Sequence, residues 1–133
     1  MDVQRFSGGS EFEEKFAYSR VVKHDNIVYV AGTTGFDYDT MTISDDVAEQ
    51  ADQCLKNISA ALVRAGSSLQ YALRVHYIFP EAQDFPKCAE VFQRYFGQHR
   101  PAATMFVAGL ADPRMKIEIE VTATLEDPLD DTP

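Results

Sequence analysis

The chain has 133 residues, is 45% hydrophobic, and carries 21 acids against 12 bases, a formal net charge of −9. Its length and apolar content suit one globular domain, expected over residues 1–125, while the acidic balance argues against a nucleic-acid binder, whose affinity comes from clustered Lys and Arg. The start Met1-Asp2-Val3-Gln4-Arg5 lacks the apolar run of a signal peptide, and no stretch approaches the roughly 18 apolar residues of a membrane span, so no membrane partner and a cytoplasmic location are expected.

Along the chain, Phe16 to Lys23 and Ile27 to Gly32 are rich in β-branched and aromatic residues, and His24-Asp25-Asn26 between them carries turn chemistry. The pair reads as a hairpin, with a short extra strand conceivable near Val3 to Phe6. Thr33 to Ser44 is polar and irregular, a loop long enough to shape a site. Asp46-Val47-Ala48-Glu49 fits a capping box, and Val47, Ala51, Cys54, Leu55, Ile58, Ala61, Leu62 and Ala65 then form an apolar helical stripe that Gly66 stops. Leu69 to Phe79 has strand character. Asp84 and Phe85-Pro86 open a second amphipathic helix through Cys88, Phe92 and Phe96, ending near Gly97. Ala102 to Ala108 and Met115 to Leu125 are the last strands. The acidic tail, residues 126–133, holds two prolines and is expected to be flexible. Cys54 and Cys88 fall on apolar helix sides and read as reduced core residues; with only three scattered histidines, no metal-ligand spacing is present and no cofactor is expected.

The order β-β-α-β-α-β-β implies an α+β fold, with two helices on one face of a mixed sheet. The most informative run is Met115 to Leu125, where every odd residue is apolar and every even one polar or charged. Such alternation belongs to a half-buried strand and sets Glu118 and Glu120 about 7 Å apart on one face. That face is either wet or an oligomer interface. Two neighbouring carboxylates repel, so water, a basic partner or a ligand that needs a proton acceptor must justify them.

Gln50, Asn57-Ile58, Leu62, Ala65-Gly66, Asp84-Phe85, Arg100-Pro101-Ala102 and Ile117-Glu118-Ile119-Glu120 together resemble the pattern of the Rid (reactive intermediate deaminase, or YjgF) family, from about Phe16 to Leu125. The resemblance implies a chorismate-mutase-like α+β fold assembled as a homotrimer around a central barrel, with clefts for a small-molecule ligand between subunits. It also implies hydrolysis of reactive enamines and imines, with an arginine holding the substrate carboxylate. Tyr18, Gly32 and Glu118 fall on cleft-lining positions of the family, and Glu118 would be the catalytic base or water-orienting group, with Glu120 beside it.

The carry-over fails at one place. The carboxylate-binding arginine of the family falls on Ala103, and no alanine reproduces the paired hydrogen bonds of a guanidinium. The usual Ser-Gly pair appears as Ala31-Gly32, followed by Thr33, and a position often Cys or Ser is Met105. Two readings follow. Arg20, which alternates with Tyr18, or Arg100, in the loop before Pro101, could supply the charge from another direction. Otherwise the pocket is rebuilt with Thr104, Met105 and Phe106 for a substrate other than a small 2-imino acid. Alongside deamination stands a second reading, a trimeric sensor or chaperone-like protein that uses the same clefts without chemistry.

Overall fold

The computed structural model describes residues 2–125, so the expected flexible tail lies outside the described residues. Among the described residues, eight strands and three α-helices run in the order β1 (Val3–Phe6), α1 (Glu11–Phe16), β2 (Val21–His24), β3 (Ile27–Thr34), β4 (Phe36–Asp37), β5 (Thr42–Ile43), α2 (Val47–Arg64), β6 (Ala72–Phe79), α3 (Ala89–Phe96), β7 (Ala102–Val107) and β8 (Glu118–Thr124). Six strands form one mixed sheet, β1-β2-β3-β8-β6-β7, antiparallel except for the β6–β7 pair. The chorismate-mutase-like α+β architecture expected from the sequence is what the chain adopts.

The alternation of the last strand places the core. Ile117, Ile119, Val121 and Ala123 are buried at 0–2% exposure and meet Leu55, Ile58 and Leu62 of α2 within one apolar cluster. On α3, Val91 and Phe96 join the same cluster, and Phe92 lies 4.3 Å from the Tyr77 ring of β6. Shortening a side chain this deep leaves a void. Ile119→Ala should therefore cost about 3 kcal/mol of stability, read from the midpoint of urea unfolding.

Helix α2 starts where the capping signal set it. Asp46 accepts from the Glu49 backbone N–H at 2.9 Å, but Glu49 turns to the Ser44 hydroxyl rather than back to the Asp46 amide. Gly66 takes the left-handed conformation that ends it, with φ at +87°.

Local features differ from the sequence reading: the last strand starts at Glu118 rather than Met115, and Pro86–Cys88 is a 3-10 turn ahead of the second expected helix, which is α-helical from Ala89. The first expected strand begins only at Val21. Residues Glu11–Phe16 are instead helix α1, capped by Ser10 and closed by Ala17 in a left-handed turn at φ 62°. The polar loop folds back on itself as the short β4–β5 hairpin. The strand expected from Leu69 begins at Ala72, after one 3-10 turn capped by Ser68. Among the described residues no helix is long and apolar enough to cross a membrane.

Candidate functional site

Between Val30 and Thr33 the pairing of β3 with β8 shifts register, leaving Ala31 and Gly32 in a bulge beside Glu118. A bulge re-aims a strand, and this one brings bare backbone against a carboxylate. A Cβ built on Gly32 would lie 2.9 Å from Glu118 Oε2 and 3.0 Å from its Cδ. Only glycine allows so close an approach. Three groups hold the bulge. Arg20 Nη1 donates to the Gly32 carbonyl at 2.8 Å and to Thr33 Oγ1 at 2.9 Å. The Cys54 thiol of α2 donates to the Thr33 carbonyl at 2.9 Å, and Asn57 donates to the carbonyls of Thr34 and Phe36.

Glu118 is half-buried, and its carboxyl is pushed above the usual range, first by loss of solvent, then by the neighbouring Glu120; Arg20 pulls the other way. Glu120 is more exposed and closes on the His76 ring of β6, with Nδ1 and Oε1 2.5 Å apart. The two carboxylates are thus differentiated: one tied to an imidazole, one close to bare backbone. That is the arrangement a proton-accepting group needs.

Gly32 lies against Glu118, while Arg20 gathers Tyr18 and Thr33; Thr33 pairs with buried Ile119, so its side chain turns to the helix side. Arg20 Nη2 donates to the Tyr18 hydroxyl at 3.2 Å, and the guanidinium lies 5.4 Å from the Tyr18 ring centre. Arg20 itself is only 6% exposed. Its acidic partner is Glu13 of α1, 3.5 Å from Nε, rather than a residue of a neighbouring strand.

The residues expected from β7 do not gather in the same way. Directly paired residues of adjacent strands share a face. Ala103 pairs with buried Val75, and Met105 with buried Tyr77, so both project to the helix side, where Met105 packs on the core. Thr104 and Phe106 project to the uncovered side, with the Phe106 ring 5.5 Å from that of His76. Met105 therefore does not share a pocket wall with Thr104 and Phe106. Arg100 precedes β7 in a left-handed conformation, φ 42°, and donates to the Gly97 carbonyl at 3.0 Å. Phe106 is level with Ile78 and Glu118, six residues further on. Within one chain Arg100 thus lies about 20 Å along the sheet from Glu118.

Residues that the sequence reading passed over also stand here. Arg74 and Tyr29 line a small cavity of about 150 Å³ on the uncovered face with His76, Glu120 and Thr122. Glu13 sits behind Arg20, and its signal was legible: Ser10-Glu11-Phe12-Glu13 is itself a capping-box pattern. Among the described residues no group of three or more His, Cys, Asp or Glu could hold a metal ion.

A bulged strand carrying a glycine against a half-buried glutamate lies on a sheet covered by helices on one side only, the architecture of the chorismate-mutase-like class. Residues 9–125 match the family model described as Endoribonuclease L-PSP, and the chain belongs to that family, also known as YjgF or Rid. It is 34% identical over 110 residues to a RutC family protein of Pyrococcus abyssi, covering 82% of this chain and 87% of that one. The human 2-iminobutanoate/2-iminopropanoate deaminase is 30% identical over 107 residues, 80% of this chain and 78% of its own length. Among solved structures, a Mycobacterium tuberculosis member of the YjgF/YER057c/UK114 family superposes with a TM-score of 0.84 at 35% identity, covering 92% of this chain and 99% of that one.

Proposed function

We propose that this protein is a Rid-type hydrolytic deaminase whose imine or enamine substrate carries no carboxylate at the reacting carbon, acting at clefts completed by a neighbouring subunit of a homotrimer. The observation that carries this reading is Glu118, a carboxylate with its proton affinity raised, resting against bare backbone while every expected source of a carboxylate-binding guanidinium is diverted. Ala103 has no charge, Arg20 is engaged by Gly32, Thr33, Tyr18 and Glu13, and Arg100 lies at the far end of β7. The human relative is named for its action on 2-iminobutanoate and 2-iminopropanoate, which supports imine chemistry on this scaffold.

The chemistry asks little of the protein beyond position and a proton relay. Glu118 takes a proton from water as the water oxygen bonds to the imine carbon, and the C=N electron pair passes to nitrogen, which takes one proton from solvent. The proton on Glu118 then passes to the amine, the C–N bond breaks as the hydroxyl oxygen forms the carbonyl, and the hydroxyl proton returns to solvent, giving a carbonyl compound and ammonia. Acting as a base, Glu118 must be ionised, so kcat/KM should rise with pH through its titration.

The homotrimer is supported by the uncovered face, where Tyr29 is 49% and Phe106 46% exposed beside Glu120. Apolar groups displayed on a naked sheet are the ordinary mark of an interface. Light scattering at micromolar concentration should give three times the 14.9 kDa chain mass; a monomer would contradict the inter-subunit cleft.

The substrate assignment is tested with in situ generated imines of matched size, with and without the carboxylate, read by ammonia release. Faster turnover of the carboxylate-free series is expected. A preference for 2-iminopropanoate would overturn the substrate assignment. The missing arginine also favours a second reading, a non-catalytic binding protein, which stoichiometric capture of a stable metabolite without turnover would establish.

A further inference from the structure

Behind the bulge that meets Glu118 lies an ion pair that the reaction as written does not use. Glu13 is 5% and Arg20 6% exposed. Glu13 accepts the Gly8 backbone N–H at 2.9 and 3.1 Å on its two oxygens and faces Arg20 Nε at 3.5 Å. Arg20 carries the connection forward to the Gly32 carbonyl and the Thr33 hydroxyl, and the Thr33 hydroxyl donates in turn to the Ala31 carbonyl at 2.8 Å. The chain of contacts thus runs from α1 to the backbone against which Glu118 rests. Burying a guanidinium and a carboxylate is costly, and apolar residues would fill such a space at least as stably.

We propose that Glu13 and Arg20 are a positioning pair for Glu118, fixing the Ala31–Thr33 backbone and supplying the positive charge behind the carboxylate. The catalytic consequence rests on the deaminase reading above; the contacts do not. The groups around Glu118 allow Arg20 this role. Glu120, two residues along β8, carries like charge and is closed on His76 of β6. Cys54 of α2 is held neutral by complete burial, which drives its thiol far above the usual range. Lys116, on the same side of the chain, is bonded to the Asp45 carbonyl. Arg20 is the cation whose charge opposes the upward push on Glu118. Glu13 sets how much of that charge is felt, because its own carboxylate offsets it.

The test is a titration of the Glu118 carboxyl by 13C NMR in the full chain, assigned by its loss in Glu118→Gln, together with the pH profile of imine hydrolysis. Wild type is compared with Glu13→Gln, with Arg20→Lys and with the double variant Glu13→Gln/Arg20→Met, which leaves neither buried charge unpaired. Glu13→Gln unmasks the Arg20 charge and should move the Glu118 titration to lower pH by about half a unit or more, with the acid limb of kcat/KM following it. The double variant should move both to higher pH. Arg20→Lys keeps the charge but not the fork, so it should lower kcat with little shift in titration. Identical Glu118 titrations in all variants that retain the wild-type circular dichroism would overturn the proposal and leave Arg20 a structural peg. Shifted titrations with every imine inert would uphold the positioning pair and sink the deaminase reading instead.

Discussion

Replacing Glu118 by glutamine is expected to lower kcat/KM for imine hydrolysis by roughly 10²- to 10⁴-fold, the usual worth of a positioned general base, without weakening the fold. The sign of the stability effect follows from the raised proton affinity. Between the ordinary glutamate range and the higher range Glu118 has in the fold, the folded state binds more protons than the unfolded one, so stability falls as pH rises through that window. At neutral pH the ionised carboxylate is therefore a burden on the fold, caused by burial and by Glu120. A neutral isostere relieves it. Glu118→Gln should thus show a thermal midpoint equal to or above that of wild type at pH 7, together with the loss of turnover. A variant that lost both stability and activity would mark Glu118 as a structural residue.

The second large effect is expected at Gly32. In Gly32→Ala the new methyl would meet Glu118 Oε2 at 2.9 Å, Cδ at 3.0 Å and Cγ at 3.4 Å. All three belong to a side chain that can swing away, so the cost to the fold should stay below about 1 kcal/mol. The carboxylate would be displaced from its place beside the bulge. Misplacement of a reacting group by about 1 Å can cost up to ~10²-fold, and a fall of that order in kcat/KM is the expected outcome. Parallel urea unfolding and steady-state kinetics would check it. Unchanged kinetics would mean that the position of Glu118 against Gly32 has no part in the reaction.

Much of this was legible from sequence because the strongest signals are periodic. The two-residue period of 115–125 set the buried odd residues and the half-exposed carboxylates on their correct sides, and the helical stripe with its Asp46 cap and Gly66 stop set α2. The β7 segment gave no such purchase. Ala102-Ala103-Thr104-Met105-Phe106-Val107 has no alternation of polarity, so nothing in it says that Met105 turns to the helices and Phe106 away from them. Helix α1 was hidden by the hydrophobic run that begins at Phe16, although Ser10 and Glu13 carried its start signal. The environment of Arg20 is harder still to read. Its partners Glu13, Gly32 and Thr33 are brought to it by a helix and by a bulge, and neither pairing follows from local spacing.

The account stands most directly on one measurement: ammonia released from an in situ generated imine without a carboxylate at the reacting carbon, followed side by side for wild type and Glu118→Gln against buffer. Release by wild type well above buffer, with Glu118→Gln near the buffer rate, is the predicted result. Equal release by wild type, variant and buffer across a broad imine panel would contradict it and leave a small-molecule-binding protein on a deaminase scaffold.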